Sequence, residues 1–566
     1  MNSTDTPSRD TSPREPSSRA NRRASTAVLR RIWRLHFWVG LFAAPVLVTL
    51  ALSGLVILYS QPLDNFLNRD LFVVQQGAST VPLDRQVAVA IAHIGDAGTL
   101  EAVTPPDKPD HSTRIDFTAT DAQSYPNAGA DVIQVFIDPY TGAFLGQRDQ
   151  LSGLVGFANQ VHRMFGNDGP TIQLPSLGHI INPDSYPDAT IPVGIGNLWF
   201  ELTATWILVL LLSGIYLWWP RAIEASKPLL KVRWGRGGRI RWRDVHALVG
   251  VVISIVLICY IVSGMTWSRY WGENWRAVAA TFTPDTSVDA PSTPAKVGDY
   301  DRLGRRIAWA ATTDPVYAST PGVKPGSLPA RISYADIHAI AQKEGMIPGY
   351  SIIPPTDSTT DGKPTFGSYM VINRWPQRLS EQRTLYLDQF TGATIANSTA
   401  DQSGALSRLT SFGIAMHMGN QLGVVTRITA TGACLGLLVM VFTGIMMWWR
   451  RRRPGSTGLP APANEQTRAD TPKGAVYAIT AIAVVLGVLY PVFGVSVLVV
   501  LVVELILARR RRERATSVSD PDANDAAPPT SVYPPLADVV FNNGNRVVTT
   551  VPADPDGGER SPAEPE

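Results

Sequence analysis

The chain has 566 residues, a mean hydropathy of +0.03 and a formal net charge of +3. The average conceals long apolar blocks that alternate with polar, proline-rich stretches, which excludes a single soluble domain and indicates an integral membrane protein. Most basic clusters flank the apolar blocks, so they indicate membrane topology and no nucleic-acid partner. The two cysteines, Cys259 and Cys434, lie within apolar blocks, which excludes disulfide-stapled domains and Cys-x-x-Cys motifs.

The apolar stretches predict six membrane-spanning helices. Four are long enough to cross a bilayer singly, and a fifth block, 474–508, is broken at Tyr490-Pro491 and predicts a tight hairpin. Arginine-rich flanks of these stretches all fall on one side if six helices span, which puts both termini in the cytoplasm. The arginine-rich flanks are 30–34, 220–244, 450–453 and 509–512.

In chain order, the predicted segments are a disordered N-terminal tail (1–30), a first span (31–59), a first outer unit (60–160), an outer connection with an insertion (161–196), a second span (197–219), a basic cytoplasmic loop (220–244), a third span (245–267), a second outer unit (268–416), a fourth span (417–449), a cytoplasmic linker (450–473), the two hairpin spans (474–490 and 491–508) and a disordered C-terminal tail (509–566). Both tails have too few large apolar groups to offset the entropy of ordering.

The two outer units repeat one another. Residues 135–143 and 385–393 each alternate as a strand and end in an Asp-x-x-Thr-Gly turn, and helical patterns at 85–95 and 334–345 precede them. Each unit therefore predicts a small α+β domain, a helix packed on a meander of strands. The turn aspartates are expected to accept hydrogen bonds from their own backbone.

Two of the predicted spans share one pattern of histidine and glycine. His36 precedes Gly54 by 18 residues, and His246 precedes Gly264 by 18 residues. Since 18 residues make five helical turns, each histidine and its glycine lie on one face about 27 Å apart, close to the hydrocarbon thickness. Such helices could clamp flat metal macrocycles, with histidine as axial ligand and glycine making room. We call His36 and His246 the inner pair.

A further histidine follows each outer unit, and we call these two the outer pair. His162 precedes Gly214 by 52 residues, whereas His417 precedes Gly444 by 27, and an insertion around 171–193 accounts for the difference. Twenty-seven residues of straight helix would extend about 40 Å, so His417 is expected at or above the outer surface, with a kink or loop beneath it.

These residues predict two levels in a four-helix core with a pseudo-twofold axis. Gly214 and Gly444 are expected beside the inner pair, and Gly54 and Gly264 beside the outer pair. Each level then offers two imidazoles to one iron, which predicts two non-covalent b-type haems stacked across the membrane. Alternatively, interfacial histidines are polar anchors and small residues only let helices approach. His179, in the insertion, competes with His162 for the outer position.

Several phrases together resemble the PepSY-associated transmembrane proteins, which include iron-regulated membrane proteins and bacterial ferric-siderophore reductases. The phrases are Trp33–His36, Val161–Gly166, Gly214–Pro220, Gly444–Arg450 and the two Asp-x-x-Thr-Gly turns, so the resemblance covers about residues 30–510. It implies a plasma (inner) membrane protein with two outer PepSY-like domains, haem in the bundle and a role in iron acquisition. It also implies electron transfer outward to a ferric chelate or siderophore, alone or beside an iron transporter.

The sequence carries no electron-donating domain of its own. No G-x-G-x-x-G follows a predicted strand, and the cytoplasmic segments are short, so the expected donor is another protein or a membrane quinol. A rival interpretation is a haem-free scaffold or regulator whose outer domains bind a peptide, protease or partner. A permease is disfavoured because Glu201 and Glu504 lie near span ends and no charge lies mid-membrane.

Overall fold

The computed structural model describes residues 16–120, 132–164, 170–184, 186–224, 232–235, 238–282, 291–300, 314–320, 329–360, 362–373, 378–452, 454–460, 467 and 469–517. By its internal packing the chain divides into two units, Met1–Val500 and Leu501–Glu566. In the second unit, residues 501–517 are helical. All contacts discussed below lie within the first unit.

The helices are α1 (Pro16–Leu58), α2 (Ser60–Leu67), α3 (Arg69–Phe72), α4 (Leu83–Ile94), α5 (Gly153–Met164), α6 (Leu177–Ile181), α7 (Ile195–Glu224), α8 (Gly238–Met265), α9 (Tyr270–Thr281), α10 (Tyr334–Lys343), α11 (Ala405–His417), α12 (Val424–Trp449), α13 (Lys473–Leu489) and α14 (Pro491–Ser517). The strands are β1 (Gly98–Thr104), β2 (Thr113–Ala119), β3 (Val132–Ile137), β4 (Phe144–Asp149), β5 (Thr171–Pro175), β6 (Thr190–Gly194), β7 (Ser292–Lys296), β8 (Pro315–Tyr317), β9 (Ser351–Ile353), β10 (Ser358–Thr360), β11 (Lys363–Thr365), β12 (Ser368–Ile372), β13 (Arg383–Asp388) and β14 (Thr394–Thr399).

Four helices, α1, α7, α8 and α12, are long and apolar enough to cross a membrane, which confirms the four long predicted spans. Helix α1 begins at Pro16, so residues 16–30 are helical where the sequence predicted disorder. This stretch is rich in Ala and Arg, which favour helix, and no breaker separates it from the span. Residues 1–15 and 518–566, also predicted to be disordered, lie outside the described residues.

The four long helices pack as a ring in which α1 and α8 each contact both α7 and α12. At its centre, the buried side chains of Ala43, Leu47 and Ile207 pack against Ile261 and Leu437. The middle of the bundle is therefore a packed apolar layer, and its polar side chains of interest lie toward the two ends.

The outer units join in one antiparallel sheet of eight strands, in the order β14-β13-β12-β9-β1-β2-β3-β4. Strands β1 to β4 come from the first outer unit, and the other four come from the second outer unit. The two halves meet where Val103 of β1 pairs with Ile352 of β9. Pairing these two strands removes two sheet edges that would otherwise expose backbone groups. The sequence predicted two small α+β units, and in the structure they share a single sheet.

The two predicted helices of the outer units, α4 and α10, pack on the same side of this sheet. Val87 and Ile337 from these helices are buried in one cluster with Ile115 and Leu385 from the strands. The carboxylate of Asp84 on α4 accepts hydrogen bonds from the first two backbone N–H groups of α10, at 2.8 and 3.0 Å. This cap ties the two repeats together at the helix level as well.

The two Asp-x-x-Thr-Gly turns have the predicted geometry. Oδ1 of each aspartate accepts from the backbone N–H of the second and third residues after it, at 2.8 and 3.3 Å for Asp138 and at 2.9 and 2.9 Å for Asp388. Gly142 and Gly392 have φ of 73° and 72°, a left-handed conformation that favours glycine. Burial raises the pKa of Asp388, but its N–H donors, Thr320 included, outweigh burial and hold that pKa below its usual value.

In the apolar block near the C-terminus, one helix ends at Leu489 and the next begins at Pro491, as predicted. The apolar parts of these two helices, Lys473–Leu489 and Pro491–Leu507, are shorter than the four long spans. The turn docks on the bundle: the Trp271 indole donates to the Leu489 carbonyl at 2.7 Å, and the Tyr490 ring stacks on Trp271 at 5.3 Å. The Trp206 indole donates to Ser496 Oγ at 3.1 Å. The hairpin therefore attaches to α7 and α9.

Candidate functional site: two histidine pairs

The structure brings the four predicted histidines together as two pairs. In the inner pair, His36 of α1 and His246 of α8 have ring centres 6.4 Å apart and planes at 89°. In the outer pair, His162 of α5 and His417, the last residue of α11, have ring centres 6.4 Å apart and planes at 78°. The two pairs thus share one separation and nearly perpendicular rings.

This separation fits one metal ion held between two imidazoles. With metal–nitrogen bonds of about 2.0–2.1 Å, and about 1.2 Å from each nitrogen to its ring centre, two coordinating rings have centres roughly 6.4 Å apart. Among the described residues, no group of three or more His, Cys, Asp or Glu could hold a metal ion. A haem iron takes only two axial ligands from the protein, so the donor set of each pair fits haem.

A hydroxyl group contacts Nδ1 of every one of these histidines. The hydroxyl oxygens are Ser213 Oγ at 3.0 Å from His36, Thr443 Oγ1 at 2.9 Å from His246, Ser53 Oγ at 3.0 Å from His162 and Ser263 Oγ at 3.3 Å from His417. Each hydroxyl donates its own proton to a backbone carbonyl of its helix, at 2.6–2.8 Å. The oxygen must therefore accept from Nδ1–H, which leaves the lone pair on Nε2, the form that binds a metal.

Backbone carbonyls strengthen this arrangement at both levels. Nδ1 of His36 lies 3.1 Å from the Leu210 carbonyl oxygen, and Nδ1 of His417 lies 2.8 Å from that of Tyr260. Such partners fix the tautomer and the orientation of metal-binding histidines and increase the basicity of the ligand.

The predicted glycines lie beside the predicted histidines. A Cβ atom built on Gly214 would lie 3.1 Å from Cε1 of His36, one on Gly264 would lie 3.0 Å from Cε1 of His417, one on Gly54 would lie 3.2 Å from Cε1 of His162, and one on Gly444 would lie 3.7 Å from Cε1 of His246. At Gly54, Gly214 and Gly264 a side chain would therefore crowd the histidine ring. At Gly444 it would lie at an ordinary van der Waals distance.

The outer pair has an aromatic border and one buried hydroxyl group. The ring centres of Tyr260 and Trp267 lie 5.1 and 6.5 Å from that of His417. Cys434 Sγ lies 3.5 Å from a Cβ built on Gly54. Tyr260 Oη is buried without a hydrogen-bond partner among the described residues. Burying a hydroxyl without a hydrogen-bond partner costs about 1–3 kcal/mol of folding free energy, so a polar group of a bound cofactor that bonded to it would be stabilising.

The other histidines are not part of either pair. His179, the predicted competitor, lies in α6, where its Nδ1 is 2.9 Å from the carbonyl oxygen of Tyr186. His93 stacks on Phe144, His111 bonds to Asp107, and His338 bonds to Tyr350 Oη at 2.6 Å. Burial lowers the pKa of His338. The outer position is therefore occupied by His162.

Sequence reasoning gave neither the hydroxyl groups before the glycines nor Tyr260 a role at the site. The four hydroxyl residues each stand directly before a predicted glycine, and we call the dipeptides the hydroxyl–glycine motifs: Ser53-Gly54, Ser213-Gly214, Ser263-Gly264 and Thr443-Gly444. Recurrence of a hydroxyl residue at this position in all four helices was the available signal. Tyr260 had no such signal, because Leu50, Leu210 and Met440 stand at the matching positions.

Four long apolar helices, an outer sheet and paired histidines define a membrane protein with a symmetric polar site at each end of its bundle. The family model of the PepSY-associated TM region, PepSY_TM, matches residues 33–451. The chain therefore belongs to the PepSY-associated transmembrane family, as the sequence predicts. The match contains both pairs and all four hydroxyl–glycine motifs. Comparison with the curated proteins gave no match.

Proposed function

We propose that this protein transfers electrons across the plasma (inner) membrane through two b-type haems and reduces ferric iron or a ferric siderophore on the outer side, as part of iron acquisition. The observation that carries the proposal is the repeated pair of histidines, with the same 6.4 Å ring separation at both ends of the bundle. When bound, each haem supplies one-electron redox chemistry at its iron.

In this proposal, the chain's own residues bind, orient and isolate the cofactors. His36 and His246 would hold the inner haem, and His162 and His417 would hold the outer haem. The hydroxyl–glycine motifs keep each Nδ1 protonated, hold the rings in place and leave space beside them. The apolar layer around Leu47 and Ile207 keeps water from crossing between the two levels.

The substrate of this reaction is ferric iron in an oxygen-rich chelate. Ferric iron is a harder cation than ferrous iron and binds oxygen ligands more tightly, so one electron loosens the chelate. The outer pair lies at the end of α5 and α11, the elements that follow the eight-stranded sheet in each repeat. We infer that the ferric chelate binds on this side, and that a cytoplasmic protein or a quinol supplies the electron at the inner pair.

Reconstitution of the purified protein tests the proposal. Liposomes would carry trapped ascorbate with a small mediator inside, and ferric citrate with a ferrous-specific chelating dye outside. We expect dye colour with the wild-type protein, loss of colour with His36→Ala and His246→Ala, and wild-type behaviour with His93→Ala, which removes a histidine from an outer unit. A colourless purified protein that produces no ferrous iron would instead favour the haem-free scaffold whose outer domains bind a partner.

A further inference from the structure

Arginines crowd at the inner end of the bundle, close to the inner pair. The half-buried Arg451, two residues after α12, turns toward α1, so that its guanidinium carbon lies 4.7 Å from the Trp33 ring centre and 5.0 Å from that of Phe37. Phe37 is the neighbour of His36 in the sequence. Arg451 also donates to the carbonyl of Gly458. Its charge is thus held against the protein and is not extended into water.

Two more arginines share this place. Arg239 precedes His246 by seven residues on α8, so it lies on nearly the same helix face, about 10 Å along the axis. Burial, and then the charge of Arg239, lower the pKa of Arg451, because the two cations repel each other. The guanidinium group of Arg450 lies against Gly238, the first residue of α8.

No described carboxylate compensates these charges. Asp244, on the same stretch of α8, is already paired with Arg233 at 2.7 Å and with Arg243 at 3.1 Å. Among the residues that the structure describes, Arg239, Arg450 and Arg451 form no ion pair. Arg239 and Arg450 are exposed and Arg451 is half-buried, so an anion placed among the three would offset their mutual repulsion.

We propose that Arg239 and Arg451, with Arg450, form an oxyanion-binding site beneath the inner pair. Guanidinium groups bind carboxylates and phosphates through paired hydrogen bonds while stacking on aromatic rings, as Arg451 does on Trp33. Two sources can supply the oxyanion. One is the pair of carboxylates on the haem of the inner pair, an identification that rests on the proposed function. The other is the phosphate of an anionic phospholipid, which gathers at basic clefts between cytoplasmic helix ends.

Charge-removing variants in the full-length protein test this site. We would compare Arg239→Gln, Arg451→Gln and the double variant with Arg241→Gln as the control. Arg241 lies on the same helix as Arg239, but its guanidinium carbon lies 5.5 Å from the ring centre of Trp242. Each would be purified into nanodiscs containing phosphatidylglycerol and phosphatidylethanolamine. The measurements are haem content per chain, the midpoint potential of the inner haem and the retained phosphatidylglycerol by mass spectrometry.

The two sources give different results. If the site binds haem carboxylates, the double variant favours oxidised inner haem, and the ratio of reduced to oxidised haem at fixed potential falls about ten-fold, a shift of about 59 mV. If it binds phosphatidylglycerol, the haem properties stay constant and the retained lipid falls several-fold. Equality of the double variant and Arg241→Gln in all three measurements would overturn the site. A wild-type protein without haem would refute the proposed function, while the lipid measurement would still decide the oxyanion site.

Discussion

The inner and outer pairs reach the same ring separation on different supports. The inner histidines lie on the spanning helices α1 and α8 and face the hydroxyl–glycine motifs of α7 and α12. The outer histidines lie on the short helices α5 and α11, which are not spans, and face the motifs of α1 and α8. What the two levels share is therefore the motif on a spanning helix, and not the kind of helix that carries the histidine. The hydroxyl–glycine motif defines the site.

The largest expected effect comes from removing one ligand of either pair. His246→Ala should abolish the inner haem and His417→Ala the outer haem, because each iron loses one of two axial ligands. Haem content by pyridine haemochrome should fall by about half in each single variant. His93→Ala should retain all haem, and the comparison breaks down if either single variant loses both haems or neither.

Alanine substitutions of Gly264 and Gly444 should differ in effect, because the two glycines lie at different distances from their histidines. Gly264→Ala places a methyl group 3.0 Å from the His417 ring, whereas Gly444→Ala places one 3.7 Å from the His246 ring. Overpacking of a tight site costs about 1–3 kcal/mol, so Gly264→Ala should weaken retention of the outer haem by roughly ten-fold or more. Gly444→Ala is the matched control and should keep the inner haem. The measurement is the haem lost during equal detergent washes. Equal losses from the two variants would contradict the proposal that Gly264 makes room beside the outer pair.

Removing a hydroxyl should affect His246 of the inner pair more than His417 of the outer pair. Thr443 Oγ1 lies 2.9 Å from His246, whereas Ser263 Oγ lies 3.3 Å from His417, whose Nδ1 also has the Tyr260 carbonyl at 2.8 Å. Loss of a hydrogen-bond partner of a metal-binding histidine costs about 10–100-fold in affinity for the metal or cofactor, and we expect a loss of haem affinity in that range for Thr443→Val. Ser263→Ala should have a smaller effect, and Thr443→Ser should restore binding in haem titrations. A larger loss in Ser263→Ala than in Thr443→Val would contradict this order.

The smallest effect concerns Tyr260, which has no counterpart at the inner pair. If its buried hydroxyl donates to the outer cofactor, Tyr260→Phe should lower the outer midpoint potential by about 20–60 mV and leave the haem content unchanged. Tyr216→Phe, which removes an exposed hydroxyl from α7, is the control. Identical midpoint potentials for the wild-type protein and Tyr260→Phe would show that the Tyr260 hydroxyl does not donate to the outer cofactor.

The sequence predicted the inner pair better than the outer pair for a geometric reason. An 18-residue spacing inside one straight helix converts directly into a face and a height, so His36 and His246 could be placed from arithmetic. His417 instead closes α11, and residues 418–423 separate it from α12, so no single helix relates it to Gly444. The predicted break was correct, but the helices that carry His162 and His417 were not predicted.

The joined sheet was also beyond the sequence. The strands before the two Asp-x-x-Thr-Gly turns were recognised from their alternation, but the pairing of Val103 with Ile352 joins segments about 250 residues apart and has no local signal. The neighbouring strands β1 to β4 follow one another in the sequence, whereas β1 and β9, which join the two outer units, do not. The internal repeat therefore revealed the two halves but not their union.

We propose that one chain holds two haems, each between two histidines. The most direct test of this proposal combines haem quantification with electron paramagnetic resonance of the oxidised, detergent-purified protein from cells supplied with iron and a haem precursor. We predict about two b-type haems per chain, both low-spin, with the highly anisotropic signals expected for imidazole planes near 89° and 78°. Absence of haem, or high-spin iron at both levels, would contradict the claim.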